Sequence, residues 1–460
     1  MIIKETDFGA TPEQLFAALH DRPYSFFLDS AQPGEGLGAY SFIGFDPFLV
    51  FRAKGDEITL EQDGGAETHR GDPLAELRKL SQRYHSPMTA ALPFAGGAVG
   101  YFSYEFGLRF ERIPRTNPDD LPVPDLEFGF YDAVIAFEWS TQRTFVVANP
   151  AGRPDAEGRA RHLEKIVREA LVRGSAPSPF PAMASTPEPR ANFSKEAYLV
   201  AIARIKDYIR AGDVYQVNLT QRFEAPLPCH PYTLYQRLRR RSPAPFSTYL
   251  NFGPLQVASS SPERFLRLQD GRVETRPIKG TRARGGTPAE DAERGRELSA
   301  SEKDRAELLM IVDLERNDLG RVCDYGSICV DELYRLETHP TVLHLVAEVS
   351  GQLRPGCDVF DCLRAAFPGG SITGAPKIRA MQIIDELETC RRHLYTGSLG
   401  YLGFDGNCDL NIAIRTIVCI GGRAYYHVGG GIVADSDPES EYQETLDKGL
   451  AMHAALTHPE

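Results

Sequence analysis

The stretch from Asp405 to Val433 narrows the fold more than any other part of the chain. It runs as a turn "DGN", an apolar run "LNIAIRTIVCI", a turn "GG" and an apolar run "AYYHVGGGIV", with no space for a helix between the runs. Short glycine turns join antiparallel neighbours, whereas parallel strands need a crossover of about a dozen residues. Antiparallel sheet is therefore expected here. The runs "YSFFLDS", "AYSFIGFDPFLVFRA" and "YDAVIAFEWS", separated by Gly/Asp turns, extend it to the N-terminal part, and "DVYQVNLTQRF" alternates as a further strand. Helices are interspersed. Ser194 caps one whose apolar residues Tyr198, Ile202, Ile205 and Ile209 keep helical spacing, closing at Gly212. "DRAELLMIVDLERNDLGRV" forms another, and the last opens with Asp437 as cap and Pro438 in its first turn. Antiparallel strands with scattered helices make the fold class α+β.

The clearest break is "GSAPSPFPAMASTPEPRANF", Gly174–Phe193, dense in Pro, Ala and Ser. It reads as a linker between an N-terminal sheet region, 1–173, and a C-terminal region, 194–460. No internal repeat or coiled-coil heptad is visible. A net charge of -12 argues against a nucleic-acid partner, although an anionic small substrate responds to local charge. No apolar run reaches membrane-spanning length, and the start "MIIKETDFGATPEQLF" has acidic residues where a signal peptide needs an apolar core. The eight cysteines lack zinc-site spacing. Reduced thiols in a cytoplasmic protein are expected.

Several motifs carry chemistry. "ETRPIKGTRARGG" sets Lys279 three residues from Arg276 and from Arg282. "KGTRARGG" and "HVGGGIV" offer backbone N–H groups that no side chain shields, which suits a carboxylate; tight turns at strand ends are the plainer alternative. "FPGGSITGAPK" departs from a P-loop because Ala375–Pro376 precede its lysine. Glu441 and Glu444 share a helix face, as do Asp304 and Glu307. Converging, the two pairs suit Mg²⁺; apart, they are solvated helix faces. Glu263 follows a strand in "SSSPERFLRL", and Arg415, in the apolar run "NIAIRTIV", needs an anionic partner that a substrate carboxylate can supply.

From Tyr215 onwards the ordered set "GDVYQVNLTQRF", "SSSPERFL", "RPIKGTRARG", "DRAELLMIVDLERNDLGRV", "HPTVLHLVAEVSG", "FPGGSITGAPKIRAM", "YTGSLGY", "NIAIRT" and "GGGIVADSDPESEYQET" resembles the chorismate-utilising enzymes. That family includes anthranilate, aminodeoxychorismate, isochorismate and salicylate synthases. "FFLDS" and "AYSFIGFDP" resemble its N-terminal sheet region more loosely. The resemblance implies a chorismate-binding fold: large antiparallel sheets in a sandwich-like core, helices packed outside, and N-terminal and catalytic regions interwoven. Anthranilate synthases carry alanine where this chain has Lys279, and aminodeoxychorismate synthases carry lysine. Isochorismate and salicylate synthases place a water-activating lysine at the position of Gln216. The implied activity is amination of chorismate to 4-amino-4-deoxychorismate, on the way to 4-aminobenzoate and folate. Anthranilate synthesis is the alternative, and an inactive regulatory subunit of the same fold the non-enzymatic one.

Roles follow from the resemblance. Lys279 is the covalent nucleophile, its pKa lowered by Arg276, Arg282 and any bound metal, and Glu263 is the general acid. His344 orients the ring region. Glu307 and Glu444 hold Mg²⁺, with Glu441 and Asp304 assisting. Gly280, Thr281 and Ser371 complete the ring-carboxylate end, while Tyr395, Arg415, Gly429, Gly430 and Gly431 hold the enolpyruvyl carboxylate. Ser30, Leu37–Tyr40 and Pro245, Phe246 and Ser247 match a tryptophan site of relatives, with Ala39 where an arginine is frequent. No cysteine sits in a glutaminase nucleophile elbow, so ammonia is expected from a separate glutamine amidotransferase subunit.

Overall fold

The computed structural model describes residues 1–32, 37–87, 92–174, 188–339 and 342–458. Most of the proline-rich linker, residues 175–187, lies outside them, as do Pro340 and Thr341 of the "HPTVLH" motif.

Alternating apolar strands joined by glycine turns assemble into two antiparallel sheets of 12 strands each. One runs from the edge strand Ile2–Glu5 through Tyr40–Gly44, Phe246–Asn251 and Thr416–Ile420 to Arg423–Ile432 and Gln216–Pro226. The other runs from Ile278–Ala283 and Val342–Gln352 through Cys408–Asn411 and Gly97–Phe102 to Gly65–Arg70. Each sheet takes strands from both sides of the linker. The inner faces meet in a core where Phe42, Val257 and Val418 of the first sheet pack with Val99, Leu399 and Tyr401 of the second. Helices cover the outside. Pro231–Arg241 and Pro438–Thr457 pack on the first sheet, and Glu302–Gly320 on the second. The α+β sandwich is as expected.

The helix ends obey their local chemistry. Ser194 Oγ accepts the Ala197 N–H at 3.2 Å, and the helix Lys195–Ala211 closes at Gly212, whose φ of 81° suits glycine. Asp437 accepts the Ser440 N–H at 3.0 Å to start Pro438–Thr457.

One expected element divides. "LNIAIRTIVCI" is not one strand: Cys408–Asn411 pairs in the second sheet and Thr416–Ile420 in the first. Ile412–Arg415 carries the chain between layers, and Arg415 takes a φ of 49° there. An apolar run can satisfy two sheets in succession, and periodicity has no mark for the crossing.

Candidate active site

The edge strand Ile278–Ala283 presents Lys279 through a bulge. Its pairing with Val342–Gln352 shifts between Lys279 and Thr281, around Gly280 at a φ of 75°. A Cβ on Gly280 would lie 3.0 Å from the Asp304 side chain, so glycine also permits the close approach of helix Glu302–Gly320. The Lys279 ammonium donates to the Ser371 carbonyl at 3.1 Å. Burial lowers its pKa, Lys448 adds to that lowering, and Glu307, Glu263 and Glu444 oppose it.

The arginines of "RPIKGTR" do not act as expected. Arg276 pairs with Glu337, and Arg282 with Asp304 at 2.9 Å, so their charges are spent locally. Loss of hydration is the main influence on Lys279, and the like charge comes from Lys448, outside the motif.

Glu263 is buried, one oxygen accepting the Ile278 N–H at 3.3 Å. Burial raises its pKa against the pull of nearby Lys279, so the carboxyl is poised to hold a proton. His344 is buried beside Thr281, with Nδ1 and the Thr281 hydroxyl 2.9 Å apart and Nε2 without a partner among the described residues. Burial and then the charge of Arg415 keep the ring neutral. No hydrogen bond or ion pair reaches the Arg415 guanidinium from the described residues, and burial lowers its pKa against the opposing charge of Glu263. Tyr395 is buried and stacked on His427, ring centres 5.1 Å apart.

The glycines Gly429–Gly431 are not a turn. They lie inside Arg423–Ile432, paired on one side with Asn218, Leu219 and Thr220. The strand on the other side stops pairing at Tyr426, which leaves that edge of the glycine run open. A Cβ on Gly430 would sit 3.2 Å from a Glu441 oxygen and 3.6 Å from a Glu444 oxygen, and one on Gly431 would sit 3.5 Å from Lys279 Nζ. Glycine thus lets amine, carboxylates and strand edge converge.

The helices Glu302–Gly320 and Pro438–Thr457 bring their carboxylates to this basin. Lys303 Nζ lies 3.9 Å from Glu307 and 3.7 Å from Glu441, and Lys448 Nζ lies 2.6 Å from Glu444. Burial raises the Glu307 pKa, with Lys279 and Lys303 opposing. For Glu444 the burial effect is outweighed by Lys448, and the pKa falls. Glu441 accepts the Ser436 hydroxyl at 2.6 Å, while Asp304 accepts from Arg282 at 2.9 Å. The all-oxygen donors around a glycine cradle fit a hydrated Mg²⁺, which needs one or two protein carboxylates and keeps several waters.

Three side chains here were not assigned roles from sequence. Lys303 bridges Glu307 and Glu441 and Lys448 pairs with Glu444, and the four-residue spacing of Lys303 from Glu307 and of Lys448 from Glu444 is the available signal. Gln216 is fully buried with both amide atoms unpartnered among the described residues, and its nitrogen would lie 2.5 Å from a Cβ on Gly431. The residues matched to a tryptophan site lie elsewhere. Ser30, Tyr40, Pro245, Phe246 and Ser247 all line one large cavity, about 830 Å³, together with Ala39.

The family model for chorismate binding enzymes matches residues 23–454. Anthranilate synthase component 1 of Pseudomonas aeruginosa is 41% identical over 97% of this chain and 93% of its own length. Aminodeoxychorismate synthase component 1 of Escherichia coli is 39% identical over 95% of this chain and 94% of its own. Among solved structures, anthranilate synthase component I from Streptococcus pneumoniae superposes with a TM-score of 0.81 at 31% identity, covering 90% of this chain and 92% of that one.

Proposed function

The chain belongs to the chorismate-binding enzymes, and on that premise we propose that it acts as an aminodeoxychorismate synthase component I, aminating chorismate at C4. Lys279 carries this reading. It is a lysine of lowered pKa beside a buried carboxyl of raised pKa, at the position where anthranilate-forming relatives have alanine.

The neutral Lys279 amine attacks C2 of the ring diene. The double bonds shift, and the C4 hydroxyl departs as water with the proton that Glu263 gives it. Ammonia then attacks C4, the double bonds shift back, and the Lys279 nitrogen leaves C2. Two displacements keep the configuration at C4, where one would invert it. His344 and Thr281 orient the ring, and the Gly280–Thr281 segment with Ser371 borders the ring-carboxylate end. The Arg415 guanidinium, unpaired among the described residues, takes the enolpyruvyl carboxylate with Tyr395 and the open edge of Gly429–Gly431. We place Mg²⁺ on Glu307 and Glu444 with Glu441 assisting, where it would neutralise the ring carboxylate. For the 830 Å³ cavity the resemblance suggests a tryptophan-like amino acid.

Anthranilate synthesis is the second reading, favoured by the 41% identity to the Pseudomonas aeruginosa protein. Pure protein with chorismate, Mg²⁺ and ammonium should yield 4-amino-4-deoxychorismate, identified by mass. Anthranilate with pyruvate would select the alternative. Chorismate without ammonia should leave an adduct of chorismate minus water on the peptide containing Lys279, and Lys279→Ala should form none. Lys279→Arg should also fail, because a guanidinium stays protonated. An alanine variant with the normal rate and product would reduce Lys279 to a charge-neutralising cation.

A further inference from the structure

On the far face of the first sheet, the turn after helix Pro12–Ala17 meets the start of helix Pro231–Arg241. His20, Asp21 and His230 converge there, their ligand atoms all within 4.8 Å of one another. His20 Nε2 is 3.3 Å and His230 Nε2 3.2 Å from the same Asp21 oxygen. Zinc bonds of about 2.0–2.1 Å arranged tetrahedrally put neighbouring donors about 3.3 Å apart. Among the described residues no other group of three such ligands is so closely set.

Hydrogen bonding fixes how His20 presents itself. Its Nδ1 lies 2.9 Å from the Ala17 carbonyl, which can only accept, so the ring proton is there and Nε2 offers a lone pair. That lone pair faces a carboxylate oxygen. Two acceptors at this distance need a cation between them, either a proton or a metal ion. The residue is also held in place: its carbonyl accepts the Ser25 hydroxyl at 2.8 Å and the Asn251 amide at 2.9 Å, and its ring stacks on Tyr232 at 4.5 Å. Asp21 is exposed, which leaves a coordination position open to solvent.

We propose that His20, Asp21 and His230 bind a divalent ion of the zinc class, at a site separate from the catalytic basin. Two imidazoles and one carboxylate select Zn²⁺, Ni²⁺ or Cu²⁺ over Mg²⁺. His230 turns its Nε2 to the same Asp21 oxygen that His20 faces. Its Nδ1 accepts the Tyr232 N–H at 3.2 Å, so binding at Nε2 moves the ring proton to Nδ1 and exchanges this helix cap for coordination. The ion joins the N-terminal segment to a helix whose far end, through Arg239, pairs with Asp29 at the wall of the large cavity.

The test uses the full chain, stripped of metal and kept in excess Mg²⁺, titrated with ZnCl₂ by calorimetry and with CoCl₂ in the visible. One Zn²⁺ per chain should bind and raise Tm, and Co²⁺ should show tetrahedral d–d bands without a near-ultraviolet thiolate band. Asp21→Asn, on the surface, and His230→Gln should each weaken binding by about tenfold or more. Absence of zinc binding would mean that a proton alone fills the gap. Undiminished affinity in both variants, or a thiolate band, would place the metal on cysteines. Any of these results overturns the proposal.

Discussion

Burial lowers the pKa of Lys279 and raises that of Glu263, and their opposite charges make the consequences for stability opposite. The folded protein holds the Glu263 proton at pH values where the unfolded chain has released it. Stability from this group is therefore full below its ordinary value of 4.5 and is lost as pH rises through the raised folded value. For Lys279 the unfolded chain holds the extra proton, so stability rises with pH from the lowered folded value towards 10.5. Glu263→Gln should then be more stable than the parent above the window, with the gain fading in acid. Lys279→Met should gain most below its window, with the gain fading towards alkaline pH. Both should lose at least about a hundredfold in turnover. Urea denaturation across pH measures this, and parallel stability curves for parent and variants would contradict the assigned shifts. The sequence singles out these two residues, but not the neighbours that set their charge. Arg276 and Arg282 stand three residues either side of Lys279 in the chain, yet Glu337 and Asp304 arrive from other elements to neutralise them.

At the scale of elements, two helices and one glycine-rich strand build the carboxylate end of the basin, where Mg²⁺ is proposed. Glu307 and Glu444 come from separate helices, and the glycine at 430 lets the strand edge lie against Glu441 and Glu444. Glu307→Gln and Glu444→Gln keep shape and remove charge. Each should lower turnover by about a hundredfold or more and raise the Mg²⁺ concentration for half-maximal rate, with melting temperature nearly unchanged. Full activity at the parent's Mg²⁺ requirement would remove that residue from the metal site. The helices themselves were legible, because Ser194 and Asp437 are side-chain caps and the apolar spacing is regular. The crossing at Ile412–Arg415 was not, since the residues that feed two different sheets are equally apolar. Nor could the sequence place Gln216 beside Gly431, a contact set by pairing across the first sheet.

Over the whole molecule, the proposed amination requires a source of ammonia. Glutamine hydrolysis by a cysteine enzyme needs a thiolate near neutral pH. Burial moves the thiols of Cys229, Cys323, Cys362, Cys390, Cys408 and Cys419 the other way, to about 11 for Cys323 and about 12 for Cys390. The fold thus makes these six cysteines poor nucleophiles, five buried as small core residues and Cys229 partly buried against the core. The pure chain should accordingly use ammonium, with a rate that follows free NH₃ as pH rises until Glu263 loses its proton. It should leave glutamine untouched, and a purified cognate amidotransferase subunit should confer glutamine-driven turnover without altering the product. The decisive measurement is product formation with glutamine as sole nitrogen source, in protein free of any second chain. Turnover there would mean that the nitrogen donor site lies within this fold and that no partner is needed.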